Sequence, residues 1–279
     1  MTERTPTQFD GYLANPAVSY VFVQGDLLAL GHTPQQWVWT VPPDVTSFTL
    51  QVAGGPGNRD PAGLSSPAVP VVSAIFYDVP CTPGDEWVLE PGDTGGNVTT
   101  RHRGTLHGGD GQQPPFPSTD TDYGLAGGGA SIVSRRRTSD EVFAIYGGQG
   151  GAGIDSDSHR IPEIIADEAP LGPVTIGGFT DLTGTSPGED QAAVDGGGGG
   201  GGRPGGAAAT VAVTHGESGG SWWPATNYSS LGGPPSPTAL DIAGTSSWHP
   251  QNWPTGLVAI FFWRPTPRTS GFHIDVTPF

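Results

Sequence analysis

The residues best suited to recognition in this chain are aromatic. Ser221-Trp222-Trp223-Pro224, Tyr228, Trp248-His249-Pro250 and Trp253-Pro254 crowd four tryptophans into one proline-rich stretch. Aromatic faces held by stiffened chain can stack on sugar rings or form the hot spots of a protein contact, with the polar edge still able to hydrogen-bond. The same side chains would also serve to fill a core. Trp222, Trp223, Tyr228, Trp248, His249 and Trp253 therefore form a candidate contact surface with three readings open: contacts between protein subunits, a glycan platform, or packing within the fold.

Other patterns invite chemistry less strongly. Gly148-Gln149-Gly150-Gly151-Ala152-Gly153 fits the G-x-G-x-x-G fingerprint and follows an apolar stretch. That fingerprint binds a dinucleotide only when a helix starts at once, so that its N-terminus can hold the pyrophosphate. Here Asp155-Ser-Asp157-Ser-His159 and Pro162 follow, and a chain with 46 glycines meets the pattern by chance. Asp155, Asp157 and His159, like Asp120 and Asp122, could offer oxygen ligands to calcium. Neither group has the glycine and terminal glutamate of an EF-hand loop, and aspartate-rich turns need no ion. The seven histidines are scattered and Cys81 stands alone, so no zinc spacing exists. There is no G-x-S-x-G elbow, and nothing marks out a carboxylate pair. The expectation is a protein that is not an enzyme, with no catalytic, cofactor-binding or metal-binding residues and no cofactor.

Composition narrows the class further. The formal net charge is −16 and all eleven basic residues are arginine. Nucleic acid and anionic membrane call for basic stripes, so neither is an expected partner. Arg135-Arg136-Arg137 is too short to reverse that balance. A single cysteine rules out an internal disulfide. The opening residues contain acids and no apolar core, unlike a signal peptide. Glycine and proline make up about a quarter of the chain, close to the low-complexity range. Eight Trp, 11 Phe and 6 Tyr with only 14% charged residues oppose disorder, which favours charge over aromatics.

The elements that would position the aromatics are strands. Gln36-Trp-Val-Trp-Thr-Val41, the turn Pro42-Pro43-Asp44 and Val45-Thr-Ser-Phe-Thr-Leu-Gln-Val-Ala53 alternate with period two. Val71–Tyr77, Glu86–Glu90, Ala130–Ser134, Val142–Tyr146, Val211–Val213 and Gly256–Trp263 continue the series. Pro83-Gly84-Asp85 and Pro91-Gly92-Asp93 read as turns on either side of Glu86–Glu90. Gly256–Trp263 is the most hydrophobic strand, as a closing strand buried on both faces would be. Helical periodicity is lacking; Ile161–Glu168 supports one short turn at most. Residues 1–35, broken by Pro6, Pro16 and Pro34, read as an attachment arm carrying one or two strands, Val18–Val23 among them.

Between these strands lie glycine-rich pieces, the densest being Gly196, Gly197, Gly198, Gly199, Gly200, Gly201 and Gly202. Consecutive glycines cannot hold an α-helix in water, because each loses maximal backbone entropy. A floppy linker and an extended three-fold helix of the polyproline II type both remain. No charged or serine-rich spacer separates the run from Ala207–Thr214, which alternates like a strand. An ordered, packed glycine core is the expectation, serving shape and not chemistry.

The sequence resembles the glycine-rich β-sandwich domain of bacteriophage minor tail, tail fibre and adhesin proteins. The resemblance is carried by Trp37-Val-Trp-Thr-Val-Pro42, Val45–Gly55, Val79-Pro-Cys-Thr-Pro-Gly-Asp85 before Trp87-Val-Leu89, Leu125-Ala-Gly-Gly-Gly-Ala-Ser131, Phe143–Gly150, the Gly196 run and Gly256–Ile260. It covers roughly residues 36–264, and long inserts at 155–190 and 216–255 depart from it. It implies an all-β fold: a glycine-rich β-sandwich with extended polyglycine or polyproline-II-like segments and long irregular loops. The chain would then divide into the arm 1–35, the sandwich 36–265 and a tail 266–279. Its implied role is a virion structural protein, a minor tail, tail-tip or fibre component contributing to host attachment. Other virion proteins, a homo-oligomer with a trimer favoured, and a host surface glycan are the expected partners. A head decoration protein and a glycan-binding adhesin or depolymerase are the alternatives.

Overall fold

A computed structural model describes residues 7–8, 17–23, 36–57, 72–95, 104–111, 123–154, 174–177, 180–190, 196–211, 214–224, 238–239 and 256–263. Among these residues there are strands and no α-helix, hence none long and apolar enough to cross a membrane. The strands are β1 (Thr7–Gln8), β2 (Ala17–Val23), β3 (Trp37–Thr40), β4 (Ser47–Ala53), β5 (Val72–Pro80), β6 (Glu86–Glu90) and β7 (Tyr123–Gly124). After them come β8 (Ser131–Arg136), β9 (Asp140–Tyr146), β10 (Gly153–Ile154), β11 (Val174–Gly177), β12 (Ser221–Pro224), β13 (Thr238–Ala239) and β14 (Leu257–Trp263).

They form two six-stranded sheets, ordered β1-β2-β14-β4-β5-β13 and β11-β12-β9-β8-β6-β3, with β10 and β7 paired separately. Pairing is antiparallel throughout except between β11 and β12. The apolar β14 lies between β2 and β4, and Val258, Ala259, Ile260 and Phe262 are buried along it. From the N-terminal segment, β2 pairs with β14 over its full length, Ala17 opposite Trp263 and Val23 opposite Leu257.

The alternating stretch 36–53 suggests neighbouring strands joined by a turn, but β3 and β4 belong to different sheets. Pro42-Pro43-Asp44 is a corner between the sheets. The second corner, between β5 and β6, runs beside it: Val41 N–H donates to Asp85 O (2.8 Å), Gly84 N–H to Val41 O (2.9 Å) and Cys81 N–H to Thr46 O (2.9 Å). Gly84 takes φ +87°, the left-handed conformation that this tight turn needs. Cys81 lies half-buried under the corners, and burial pushes its thiol pKa up to about 12, leaving an unreactive side chain.

Crossing at each corner brings aromatic rings from both sheets together. Phe48 of β4 meets Trp39 of β3 edge-on at 5.1 Å and Trp87 of β6 at 5.0 Å, while Phe76 of β5 meets Phe143 of β9 at 5.5 Å. These rings belong to one core cluster with Leu50, Val52, Leu89, Val133, Tyr146, Ile260 and Phe262. A second cluster, Leu106, Ala130, Ile132, Val142, Ile145 and Trp222, covers the other face of β8 and β9. Both faces of that hairpin are buried, so Ile132 and Val133 are both apolar and strict alternation is lost. At its exposed turn, Arg135 and Arg137 pair with Glu141, and Arg136 pairs with Glu86 and Asp140.

Phe48 joins the two sheets through rings that are almost wholly inaccessible. Phe48→Ala is expected to destabilise the fold by about 3–5 kcal/mol. Chemical denaturation checks this as a lowered midpoint with an unchanged slope.

Candidate functional site

The glycine segments all leave the same end of the two sheets, opposite the corners. They continue β4 (Gly54–Gly57), β6 (Pro91–Gly95) and β9 (Gly147–Gly153), and lead into β8 (Gly124–Ala130) and β12 (Gly216–Gly220). Strand register places these ends together, since Ala53 faces Leu257 and Ser131 faces Tyr146. Ser131 pins the junction: its hydroxyl donates to Ala53 O (2.6 Å) and accepts from Gly92 N–H (2.8 Å). Ser221 does the same for Gly147, whose N–H it accepts at 3.0 Å.

Gly196–Gly202 are all buried, in the middle of this layer. Each successive N–H turns to a different neighbour, and the same neighbour returns three residues on. Gly197 and Gly200 donate to Thr214 O and Glu217 O, Gly198 and Gly201 to Leu125 O and Gly128 O, and Gly199 and Gly202 to Glu189 O and Ser186 O. The carbonyls repeat in the same way: Gly197 and Gly200 accept from Ala209 and Gly206, Gly198 and Gly201 from Gly151 and Gly148, and Gly199 from Gly109. From Gly197 to Gly202 the run lies against other backbones, and their N–H groups are all satisfied by carbonyls of those backbones.

That arrangement leaves no room for a side chain. A Cβ on Gly197 would collide with Gly151 O, on Gly198 with Gly109 O, on Gly199 with Gly206 O, on Gly200 with Gly148 O and on Gly201 with Leu106 O. The neighbours are equally constrained, because a Cβ on Gly148 would meet Gly128 O and one on Gly128 would meet Gly55 O. These obstacles are backbone atoms that cannot rotate aside.

The same bonds decide the G-x-G-x-x-G question. Gly148 N–H donates to Gly201 O, Gln149 N–H to Gly55 O and Gly151 N–H to Gly198 O, so the amides that would cradle a phosphate are committed. The stretch ends in β10, and no helix begins there among the described residues. Asp155, Asp157, His159, Asp120 and Asp122 lie outside the described residues, as do Ile161–Glu168.

Of the aromatic candidates, Trp222 requires a correction. The Ser221–Pro224 segment is not loop but strand β12, held between β9 and β11. Trp222 is 3% exposed, packed beside Ile145 in the second core, with the Arg203 guanidinium 5.3 Å above its ring. Its side chain fills the second core, one of the three readings that the sequence left open. Trp223 belongs to the same strand; Tyr228, Trp248, His249 and Trp253 lie outside the described residues. Val211 is a second correction: it is not in a strand and is 62% exposed. Residues 206–209 lie against the glycine run, so alternation there reflects no sheet face.

Sequence reasoning missed a buried acidic pair. Glu90 ends β6 and Asp93 follows at the seam between sheet and glycine layer, and both are almost inaccessible. Glu90 accepts from Thr105 N–H (2.6 Å), Thr105 Oγ1 (2.9 Å) and Gln36 Nε2 (3.0 Å). Asp93 Oδ2 accepts from Gly104 N–H (2.6 Å), while Oδ1 is buried without a partner. Burial, reinforced by the Glu90 charge against the opposing Gly104 hydrogen bond, pushes the Asp93 pKa up to about 7. The available signal was an acid ending a buried strand, but Pro91-Gly92-Asp93 resembles a turn. No group of three His, Cys, Asp or Glu suited to a metal occurs among the described residues.

No protein-family model matches the chain, and no curated protein matches its sequence.

Gly199→Val places branched carbons against the Gly206 carbonyl, and the fold is expected to lose at least about 3 kcal/mol or fail to form. Val211→Ala, at an exposed site, should change stability by no more than about 0.5 kcal/mol. Thermal melts of the two variants provide the check, and a well-tolerated valine at 199 would return the run to the status of a linker.

Proposed function

We propose that this chain is a structural protein of a bacteriophage virion, a minor tail, tail-tip or fibre component contributing to host attachment. Its architecture is then a glycine-rich β-sandwich extended by a bundle of three-fold, polyglycine-type helices. The observation that carries this reading is the three-residue repeat of hydrogen bonds around Gly196–Gly202, in a layer with no space for side chains. A three-fold extended helix turns once every three residues, which is the period of those bonds. A catalyst needs side chains converging on a cavity; a layer of bare backbone contributes shape and stiffness instead.

The resemblance to phage tail and adhesin domains supplies the setting, and the acidic, lysine-free chain suits partners other than nucleic acid. Docking onto other virion proteins is assigned to the N-terminal segment, with β2 continuing the sheet through β14. The chain works as a homo-oligomer, with a trimer favoured. Attachment to a host glycan would draw on Trp223, Tyr228, Trp248 and Trp253, since Trp222 is withdrawn into the core.

Mass spectrometry of purified particles is expected to find the chain in stoichiometric amounts, and its absence would sink the proposal. Light scattering of the isolated protein should give three times the monomer mass. Incubation with host cell-wall polysaccharide separates the attachment roles: binding alone indicates an adhesin, whereas released oligosaccharide would contradict the non-enzymatic reading.

A further inference from the structure

Among the described residues, the acidic pair at the seam is the buried titratable cluster that the structural role leaves unexplained. Its two members are unequally served. Glu90 receives three hydrogen bonds on its two oxygens, whereas Asp93 receives one and leaves Oδ1 enclosed without a donor. The ion pairs among the described residues are confined to Arg135, Arg136 and Arg137 with Glu86, Asp140 and Glu141, and none reaches Glu90 or Asp93. Among the described residues, the groups hydrogen-bonded to Glu90 and Asp93 are neutral: Gln36 before β3, Gly104 and Thr105 from the loop, and Gly129 from the glycine layer, whose N–H donates to Asp93 O. Two adjacent carboxylates with no ion pair to either among the described residues cannot both ionise cheaply, so one retains a proton. Asp93, the member with fewer donors, is the one that keeps the proton.

These carboxylates hold one segment. Consecutive amides, Gly104 N–H and Thr105 N–H, are gripped at 2.6 Å each. The residues that follow serve both halves of the molecule. Leu106 sits in the second core and its carbonyl accepts from Ala130 N–H at 2.8 Å. His107 O accepts from Gly188 N–H, Gly109 N–H donates to Gly199 O, and Gly109 O accepts from Gly127 N–H. The segment is thus a side of the glycine layer, moored to the sheet at Glu90 and Asp93.

We propose that Glu90 and Asp93 form a proton-held latch: while Asp93 keeps its proton, the segment Gly104–Gly111 stays seated, and loss of that proton loosens this side of the glycine layer. The sign follows from linkage. The carboxyl pKa is raised on folding, from 3.8 to about 7, so the unfolded chain gives up its proton first. Stability from this group is complete below about pH 4, declines between about 4 and 7, and is flat above. The latch does not depend on where the protein resides, so its failure would leave the virion reading intact.

Amide exchange on the full-length protein tests the proposal. After correction for intrinsic rates, the Thr105 and Ala130 amides are expected to exchange at least about tenfold faster at pH 8.5 than at pH 5.5, as local opening becomes easier. Asp93→Asn, neutral at every pH, should abolish that difference. Glu90→Gln, which removes the neighbouring charge, should move the transition to lower pH. The carboxyl carbon of Asp93, followed by NMR, should titrate near pH 7. Equal exchange at both pH values, a difference persisting in Asp93→Asn, a transition unmoved in Glu90→Gln, or titration near pH 4 would each overturn the latch.

Discussion

Everything in this fold accommodates one constraint: a run of backbone packed directly against other backbones, with no Cβ between them. Such packing gives up the usual source of stability, the burial of large apolar side chains. What replaces it is hydrogen bonding and close contact between backbone segments, with the N–H groups of Gly197–Gly202 satisfied by segments from widely separated parts of the sequence. Glycine carries the largest entropy penalty on ordering, so the layer needs a rigid platform. The two sheets provide it, anchored by the rings of Trp39, Phe48, Phe76, Trp87 and Phe143.

The two regimes of packing meet at a seam, and polar side chains collect there. Glu90, Asp93, Ser131 and Ser221 are all buried where strands pass into glycine segments. The reason is geometric. A strand that leaves its sheet strands some peptide groups, and a short hydroxyl or carboxylate can reach them where another backbone cannot. Ser131 binding Ala53 O and Gly92 N–H at once is an example. Serine fills that role without consequence, because it is neutral at all pH values. A carboxylate in the same position brings a charge into a low-dielectric seam and with it a dependence on protons.

Much of the strand content was legible because period-two alternation is a local property. β4, β6, β8, β9 and β14 fall where apolar and β-branched residues alternate or run together. Legibility failed where a long-range partner decides the outcome. The alternating stretch 36–53 holds strands of different sheets, because the corner at Pro42–Thr46 is latched to residues 81–85. Trp222 lies in a proline-rich stretch for which a contact surface and packing within the fold were both open, and β9 and β11 capture it while Arg203 covers its face. The one signal at Glu90 and Asp93, an acid ending a buried strand, stayed unread because their partner, the segment from Gly104, gives no hint in sequence of docking beside β6.

Two identical tripeptides show the division most plainly. Pro83-Gly84-Asp85 turns, with Gly84 at φ +87° and Asp85 capping Thr82 N–H. Pro91-Gly92-Asp93 does not turn; it runs on into the glycine layer, where a Cβ on Gly92 would meet Gly129 O. By itself the sequence determined that this chain builds strands and that it cannot build α-helix through its glycine runs. Those are consequences of backbone entropy and local periodicity. That the run at 196–202 packs where side chains are excluded, and is not a linker, came from the neighbouring backbones. Which neighbour each glycine meets, which tryptophan is buried and which aspartate holds a proton were decided only by tertiary structure. Each depends on backbone from distant segments arriving within hydrogen-bonding distance, and no local pattern encodes that arrival.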